Sequence, residues 1–182
     1  MKLLKLCCII AALWWSAAIE AETAHPTVQR NIALVGKIAE PIGHTHVLQA
    51  ILLQESNGGL NTTSNTASYG LMQVQVVAAR SVLQRVPEVL MSAFPGQQLR
   101  QISDAAIKHK LKTDDVFNIT VAAHHFDIYF NLCRGNLEKA IAAYNMGIGG
   151  VQRVTSYSAV PYVRRIKQQM QRVQSITPRE DA

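Results

Sequence analysis

One carboxylate, Glu55, stands in an apolar stretch where its residue type and spacing could do chemistry. Leu48 and Leu52 are four residues apart and Glu55 follows three later, so a helix here places all three on one face. Burial of that face disfavours the charged carboxylate and raises its pKa. Gly58 and Gly59 predict that the helix ends soon afterwards, where the negative end of the helix dipole disfavours the charge further. These effects favour a carboxyl group that donates a proton at neutral pH.

Periodicity alone leaves two interpretations of Glu55. Gln49 and Gln54 indicate a polar side of the helix that excludes Glu55, which favours an inward position. The alternative is an ordinary surface glutamate near a helix end, because most glutamates lie on the surface. The spacing does not separate the two.

The first 21 residues have the pattern of a cleaved signal peptide. Lys2 and Lys5 form a basic beginning, an apolar run follows from Leu6 to Trp15, and small residues follow at Ser16-Ala17-Ala18 and at Ala21, so cleavage is expected after Ala18 or Ala21. The run is shorter than the ~20 apolar residues of a transmembrane helix, which favours cleavage over a membrane anchor. The sequence therefore predicts an exported or periplasmic protein.

Length and composition indicate one globular domain. The chain has 182 residues, 48% hydrophobic and 16% charged, and we assign 22–174 to the domain and 175–182 to a flexible tail. Its formal charge of +6 is compatible with nucleic acid, an anionic membrane or the acidic cell wall as a partner. Cys133 is the one cysteine after the leader, so no internal disulfide is expected, and helical register makes it a core residue.

Helical spacing dominates the rest of the chain. We expect a first helix over Asn31 to Ile38, an N-cap at Thr45, a helix in the second half of 74–86, and a last helix from Pro161. No alternating strand series is present, which predicts a mainly α domain.

The clearest helix begins at Thr113-Asp114-Asp115, a cap followed by acidic residues. Its expected core seam consists of Val116, Ile119, Ala123, Phe126, Phe130 and Cys133. The next helix is expected to bury Leu137, Ala140, Ile141 and Tyr144 before the glycine-rich stretch 145–150 breaks it.

Five short motifs follow one another in a fixed order. They are Glu55-Ser56, Ser64 nine residues after the glutamate, Gly70-Leu71-Met72-Gln73, Ala142 to Gly149, and Tyr162-Val163. In this order they resemble the signature of the soluble lytic transglycosylase (SLT-domain) family over roughly residues 40–166, which is more specific than any one motif.

The resemblance implies a mainly α, lysozyme-like single domain of about six to eight helices that acts on peptidoglycan glycan strands without a cofactor. Family members cleave the bond between N-acetylmuramic acid (MurNAc) and N-acetylglucosamine (GlcNAc) without water and leave a 1,6-anhydro sugar. By resemblance, Glu55 is the catalytic acid and then the base. The implied substrate-binding residues are Ser64, Gln73, Tyr144, Asn145 and Tyr162, the last approaching Glu55.

The chain departs from the family pattern at three places: 67–69, 74–76 and Ser158-Ala159. Because of these departures, the resemblance does not determine the details of the glycan subsites. Two alternatives stand beside the transglycosylase: a goose-type-lysozyme-like hydrolase, and a catalytically idle glycan-binding or assembly protein. Small size fits a monomeric member that serves a secretion or conjugation complex.

Metal and nucleic acid are not expected as partners. His44 and His46, like His124 and His125, lack i, i+4 spacing and a partner acid for a metal site. The basic residues near the end are typical of a solvated helix face.

Overall fold

Eight α-helices make up most of the described protein, which in this computed structural model comprises residues 24–63 and 67–176. They are α1 Pro26–Ala39, α2 Thr45–Ser56, α3 Val76–Arg85, α4 Pro87–Ala93, α5 Asp104–Thr113, α6 Asp115–Leu132, α7 Leu137–Val151 and α8 Pro161–Ile176. Helical residues, the 3₁₀ turns included, account for 74% of the described residues. The predicted mainly α class and the number of helices are confirmed.

Short segments complete the fold. Strands β1 (Ser68–Tyr69) and β2 (Val74–Gln75) pair antiparallel, with Tyr69 opposite Val74. Single 3₁₀ turns lie at Asn57–Gly59, Leu99–Gln101 and Tyr157–Ala159. The predicted signal peptide (1–21), residues 177–182 of the predicted tail, and Ser64 lie outside the described residues.

Helix α2 is the centre of the core. Val47, Leu48, Ala50, Ile51, Leu52 and Leu53 are all buried, so the helix is apolar nearly all round. It packs between α1 and α8. The predicted polar side is therefore wrong at Gln49, which is 7% exposed and whose Nε2 donates to the Ile32 carbonyl at 3.1 Å. A buried amide is tolerated because that hydrogen bond replaces water.

The ends of α2 differ from the sequence prediction by one residue each. Asn57, with φ 50°, takes the left-handed cap position expected of the glycines, and its N–H bonds the Leu52 and Leu53 carbonyls. At the start, His44 (φ 64°) rather than Thr45 precedes the first turn. Its ring centroid lies 4.4 Å from that of Phe130, a tertiary contact that local capping preferences do not reveal.

The first turns of α6 and α7 correct two core predictions. Val116 is 54% exposed and Leu137 is 38% exposed, whereas Phe117 is buried. Asp114 caps α6 by accepting from the Phe117 N–H at 2.8 Å, and this cap sets the register that turns Val116 outward. Further along α6 the expected core residues Ile119, Ala123, Phe126 and Cys133 are buried.

Two other helices begin close to the positions that the sequence predicted. Pro161 is the first residue of α8, and Val163, Ile166 and Val173 are buried. Helix α3 starts at Val76, so it occupies more of 74–86 than predicted. Among the described helices, none is both long and apolar enough to span a membrane.

Asn118 joins three segments at the base of the hairpin. Its Oδ1 accepts from the Met72 N–H at 2.8 Å, and its Nδ2 donates to the carbonyls of Tyr69 (2.7 Å) and Leu111 (3.1 Å). Gly70 (φ 73°) lies so close that a Cβ there would collide with the Leu111 carbonyl and the Asn118 amide. The buried amide therefore fixes the turn 70–73 against α5 and α6.

We expect Asn118→Ala to lower the free energy of unfolding by roughly 2–4 kcal/mol, because three backbone groups lose their partner in the interior. Chemical denaturation measures the loss. Asn131→Ala on the same helix is the control, since Asn131 bonds the Asp127 carboxylate at the exposed end and shares the change in helix propensity. Equal stability of the two variants would show that the Asn118 bonds contribute little.

Candidate active site

Glu55 and Tyr162 meet where α2 packs against α8. The Tyr162 hydroxyl donates to Glu55 Oε1 at 2.5 Å, and the Tyr162 side chain is 3% exposed. Glu55 stands one residue before the end of α2, and Tyr162 is the second residue of α8. The apolar packing of the two helices therefore positions both partners.

Burial raises the pKa of the Glu55 carboxyl, while the Tyr162 hydrogen bond and the positive charge of Arg165 partly offset that rise. Arg165 follows Tyr162 by three residues, and its Cζ lies 5.9 Å from the Tyr162 ring centroid. Burial and the nearby Glu55 charge also raise the pKa of the Tyr162 hydroxyl well above its usual value. Tyr162 thus stays a neutral donor that holds one carboxylate oxygen.

The turn 70–73 supplies a second wall. Gln73 has a left-handed backbone (φ 49°), and its Nε2 donates to the carbonyls of Gly70 (2.9 Å) and Thr62 (3.2 Å). A non-glycine residue in this region costs about 1–2 kcal/mol, which the surrounding bonds must offset. The side chain of Gln73 is held beside the approach to Glu55.

Helix α7 supplies the third wall through Tyr144 and Asn145. The Tyr144 hydroxyl donates to the Met72 carbonyl at 3.0 Å, which ties α7 to the hairpin turn. Asn145 is exposed. Gly147, with φ 74° and ψ 164°, interrupts the helical backbone two residues later, inside the stretch where the glycines predicted a break.

These walls enclose a groove of about 760 Å³. Glu55, Gln73, Tyr144 and Asn145 all line it, so the structure brings together four of the six predicted site residues. Tyr162 lies behind Glu55 rather than in the lining. Among the described residues that line the groove, Glu55 is the one carboxylate.

Comparison with known proteins agrees with the order of the motifs. The family model for the transglycosylase SLT domain matches residues 42–161, more than half of the chain. The chain belongs to the SLT-domain family. Searches among curated proteins and among solved structures each found no match. Lytic transglycosylases of peptidoglycan form this family, and the mainly α architecture fits its small lysozyme-like domain.

The SLT-domain groove also contains residues that sequence reasoning missed. Helix α6 contributes His125, Ile128, Tyr129 and Leu132, and α3 contributes Val77, Ala78, Ser81 and Arg85. The α6 residues are spaced three and four apart, so they share one face of the helix, and that face differs from the one that carries the core seam. That second stripe is the signal in the sequence, but it becomes interpretable only when α3 is known to lie opposite.

Three of the four histidines that the sequence analysis considered for a metal site are half-buried in the described structure. His44 Nε2 lies 3.3 Å from Asp127 Oδ1, and its ring packs on Phe126 and Phe130. Burial lowers the pKa of His124 and, to about 4, that of His125. Over residues 24–63 and 67–176, no group of three or more His, Cys, Asp or Glu could hold a metal ion.

We expect Tyr162→Phe to raise the pKa of Glu55 further, because the lost hydrogen bond favours the ionised carboxylate. A carbon-13 titration of the Glu55 carboxyl measures the change. The folded protein already binds this proton more tightly than the unfolded chain does. Stability should therefore fall as pH rises through the Glu55 titration, and this loss should reach higher pH in the variant.

Tyr129→Phe is the control for that titration, since Tyr129 lines the groove and makes no hydrogen bond to Glu55 in the described structure. An unchanged or lower Glu55 pKa in Tyr162→Phe would contradict the electrostatic role given to the Tyr162 hydroxyl.

Proposed function

We propose that this SLT-domain protein is a lytic transglycosylase that cleaves the MurNAc-β-1,4-GlcNAc bond of peptidoglycan and forms 1,6-anhydro-MurNAc ends. One observation carries the proposal: a half-buried carboxyl group, held by Tyr162, lines a groove with no second carboxylate among its described residues. Most glycosidases use a pair of carboxylates. In the proposed mechanism, one acid therefore serves twice.

In the first step, Glu55 acts as the general acid. Burial raises the pKa of its carboxyl group and so favours the protonated form, and the carboxyl proton passes to the glycosidic oxygen as the bond to the MurNAc anomeric carbon breaks. The 2-acetamido oxygen of that MurNAc stabilises the electron-poor anomeric carbon, in place of a second carboxylate. The GlcNAc leaves as an alcohol.

In the second step, the ionised Glu55 acts as the general base. It takes the proton of the MurNAc C6 hydroxyl while that oxygen bonds to the anomeric carbon, which closes the 1,6-anhydro ring and restores the protonated acid. The Tyr162 hydrogen bond and the charge of Arg165 stabilise the ionised form between the two steps.

Gln73, Tyr144 and Asn145 are proposed to bind the glycan strand. Asn145 is exposed in the groove with an amide that can donate and accept, whereas the Tyr144 hydroxyl is already used on Met72. Tyr144 would therefore contribute mainly its ring. The family pattern adds Ser64 near the carboxylate or the substrate acetamido group.

Export through the predicted leader is part of the proposal, because peptidoglycan lies outside the cytoplasm. The small domain also supports a role in opening the wall for a secretion or conjugation complex. That role rests on size and family resemblance.

Glu55→Gln should reduce the release of soluble muropeptides from purified sacculi by roughly 100- to 10,000-fold, because the amide neither donates nor accepts the proton in transit. Glu40→Gln, at an exposed position, is the matched control. Undiminished activity of Glu55→Gln would remove Glu55 from its role. No activity in the parent protein would favour an idle glycan-binding protein.

A further inference from the structure

His125 is a titratable side chain of the groove that the proposed mechanism does not use. It projects from α6 on the stripe that faces α3 rather than the core. Its ring centroid lies 4.3 Å from that of Tyr129 and 5.8 Å from that of Tyr144. Burial and the charge of Glu55 raise the pKa of the Tyr144 hydroxyl well above its usual value, which places Tyr144 near the carboxyl group. The three rings therefore form a contiguous row, Tyr129–His125–Tyr144, with Tyr144 near Glu55.

The polar atoms of His125 have no partner in the described protein. Neither ring nitrogen is hydrogen-bonded to any residue of 24–63 or 67–176. Among the described side chains, the one fully buried polar atom without a hydrogen-bond partner is Gln169 Oε1. The unpartnered nitrogens of His125 are therefore not fully buried. The imidazole nitrogens thus open to the groove, where a ligand that displaces water must replace their hydrogen bonds.

The chemistry of the ring restricts what can replace that water. Burial lowers the pKa of His125 to about 4, so the ring is neutral at neutral pH and offers one N–H donor and one acceptor nitrogen. A carboxylate only accepts and an ammonium group only donates. A sugar hydroxyl or an acetamido group does both, and a sugar ring also packs on aromatic side chains.

We propose that His125 is a glycan-binding residue, whose ring nitrogens hydrogen-bond a hydroxyl or acetamido group of a sugar lying on the row Tyr129–His125–Tyr144. This inference rests on the proposed function, since the ligand is the same glycan strand. It assigns the arm of the groove between α3 and α6 to a sugar next to the one cleaved at Glu55. His125 binds substrate and takes no part in proton transfer.

The test measures binding in full-length Glu55→Gln protein, so that turnover does not interfere. The probe is a peptide-free peptidoglycan tetrasaccharide of alternating GlcNAc and MurNAc, titrated by calorimetry. His125→Phe keeps an aromatic ring and should weaken binding roughly 3- to 10-fold through the lost hydrogen bond. His125→Gln keeps a donor and an acceptor and should stay within about 2-fold.

His124→Phe is the matched control, because His124 neighbours His125 on α6 but does not line the groove. It should leave binding unchanged. Equal binding by His125→Phe and its parent would overturn the inference. So would equal weakening in His125→Phe and His125→Gln, because a side chain that keeps a donor and an acceptor would then bind no better than one that has neither.

A measurement on the unmodified ring covers the case in which His125→Phe does not fold. Nitrogen-15 shifts of the imidazole, recorded in the Glu55→Gln protein, should change for His125 on addition of the tetrasaccharide, and those of the exposed His109 should not. Unchanged His125 shifts at saturation would overturn the inference.

The two proposals fail in different ways. If the parent protein makes anhydro ends but His125→Phe binds the tetrasaccharide normally, the inference about His125 is wrong and the proposed function stands. If the parent neither binds the tetrasaccharide nor cleaves sacculi, both proposals are wrong.

Discussion

The site depends on one physical constraint, the partial burial of the Glu55 carboxyl group. Burial raises the pKa of Glu55, and ionisation in that position therefore lowers the stability of the fold at neutral pH. The Tyr162 hydroxyl at 2.5 Å and the charge of Arg165 limit this cost. Both are among the first five residues of α8, so the packing of this one helix against α2 influences the pKa of the Glu55 carboxyl group.

The remaining walls are held by buried amides rather than by apolar contacts alone. Asn118 fixes the hairpin turn, and Gln49 joins α2 to α1. Each satisfies backbone groups that would otherwise be unpaired in the interior. This rigidity lets Gln73 keep a left-handed backbone at the edge of the groove. The proposed reaction orients a sugar over one carboxyl group, and such orientation needs walls that do not shift.

Much of the fold was predictable because local signals agreed with tertiary packing. Pro161 at the start of α8 and the seam of α6 from Ile119 onward lie where their chemistry favours them. The cap of α6 is Asp114, one residue after the Thr113 that the sequence indicated. Errors arose where a tertiary contact competed with a local preference. Gln49 is polar yet buried because α1 offers a carbonyl.

The site was less predictable than the fold. Glu55 is recognisable as an acid on an apolar helix, and motif order indicated Gln73, Tyr144, Asn145 and Tyr162. The α3–α6 arm was not recognisable, because single helical stripes do not show which helices face each other. His125 was considered for metal, whereas its surroundings are two tyrosine rings and open groove.

In the proposed reaction one carboxyl group gives and takes a single proton while water stays out. Digestion of purified sacculi in oxygen-18 water, followed by mass spectrometry of the muropeptides, distinguishes this reaction from hydrolysis. We expect 1,6-anhydro-MurNAc ends that contain no oxygen-18. Reducing MurNAc ends that carry the label would identify a hydrolase instead.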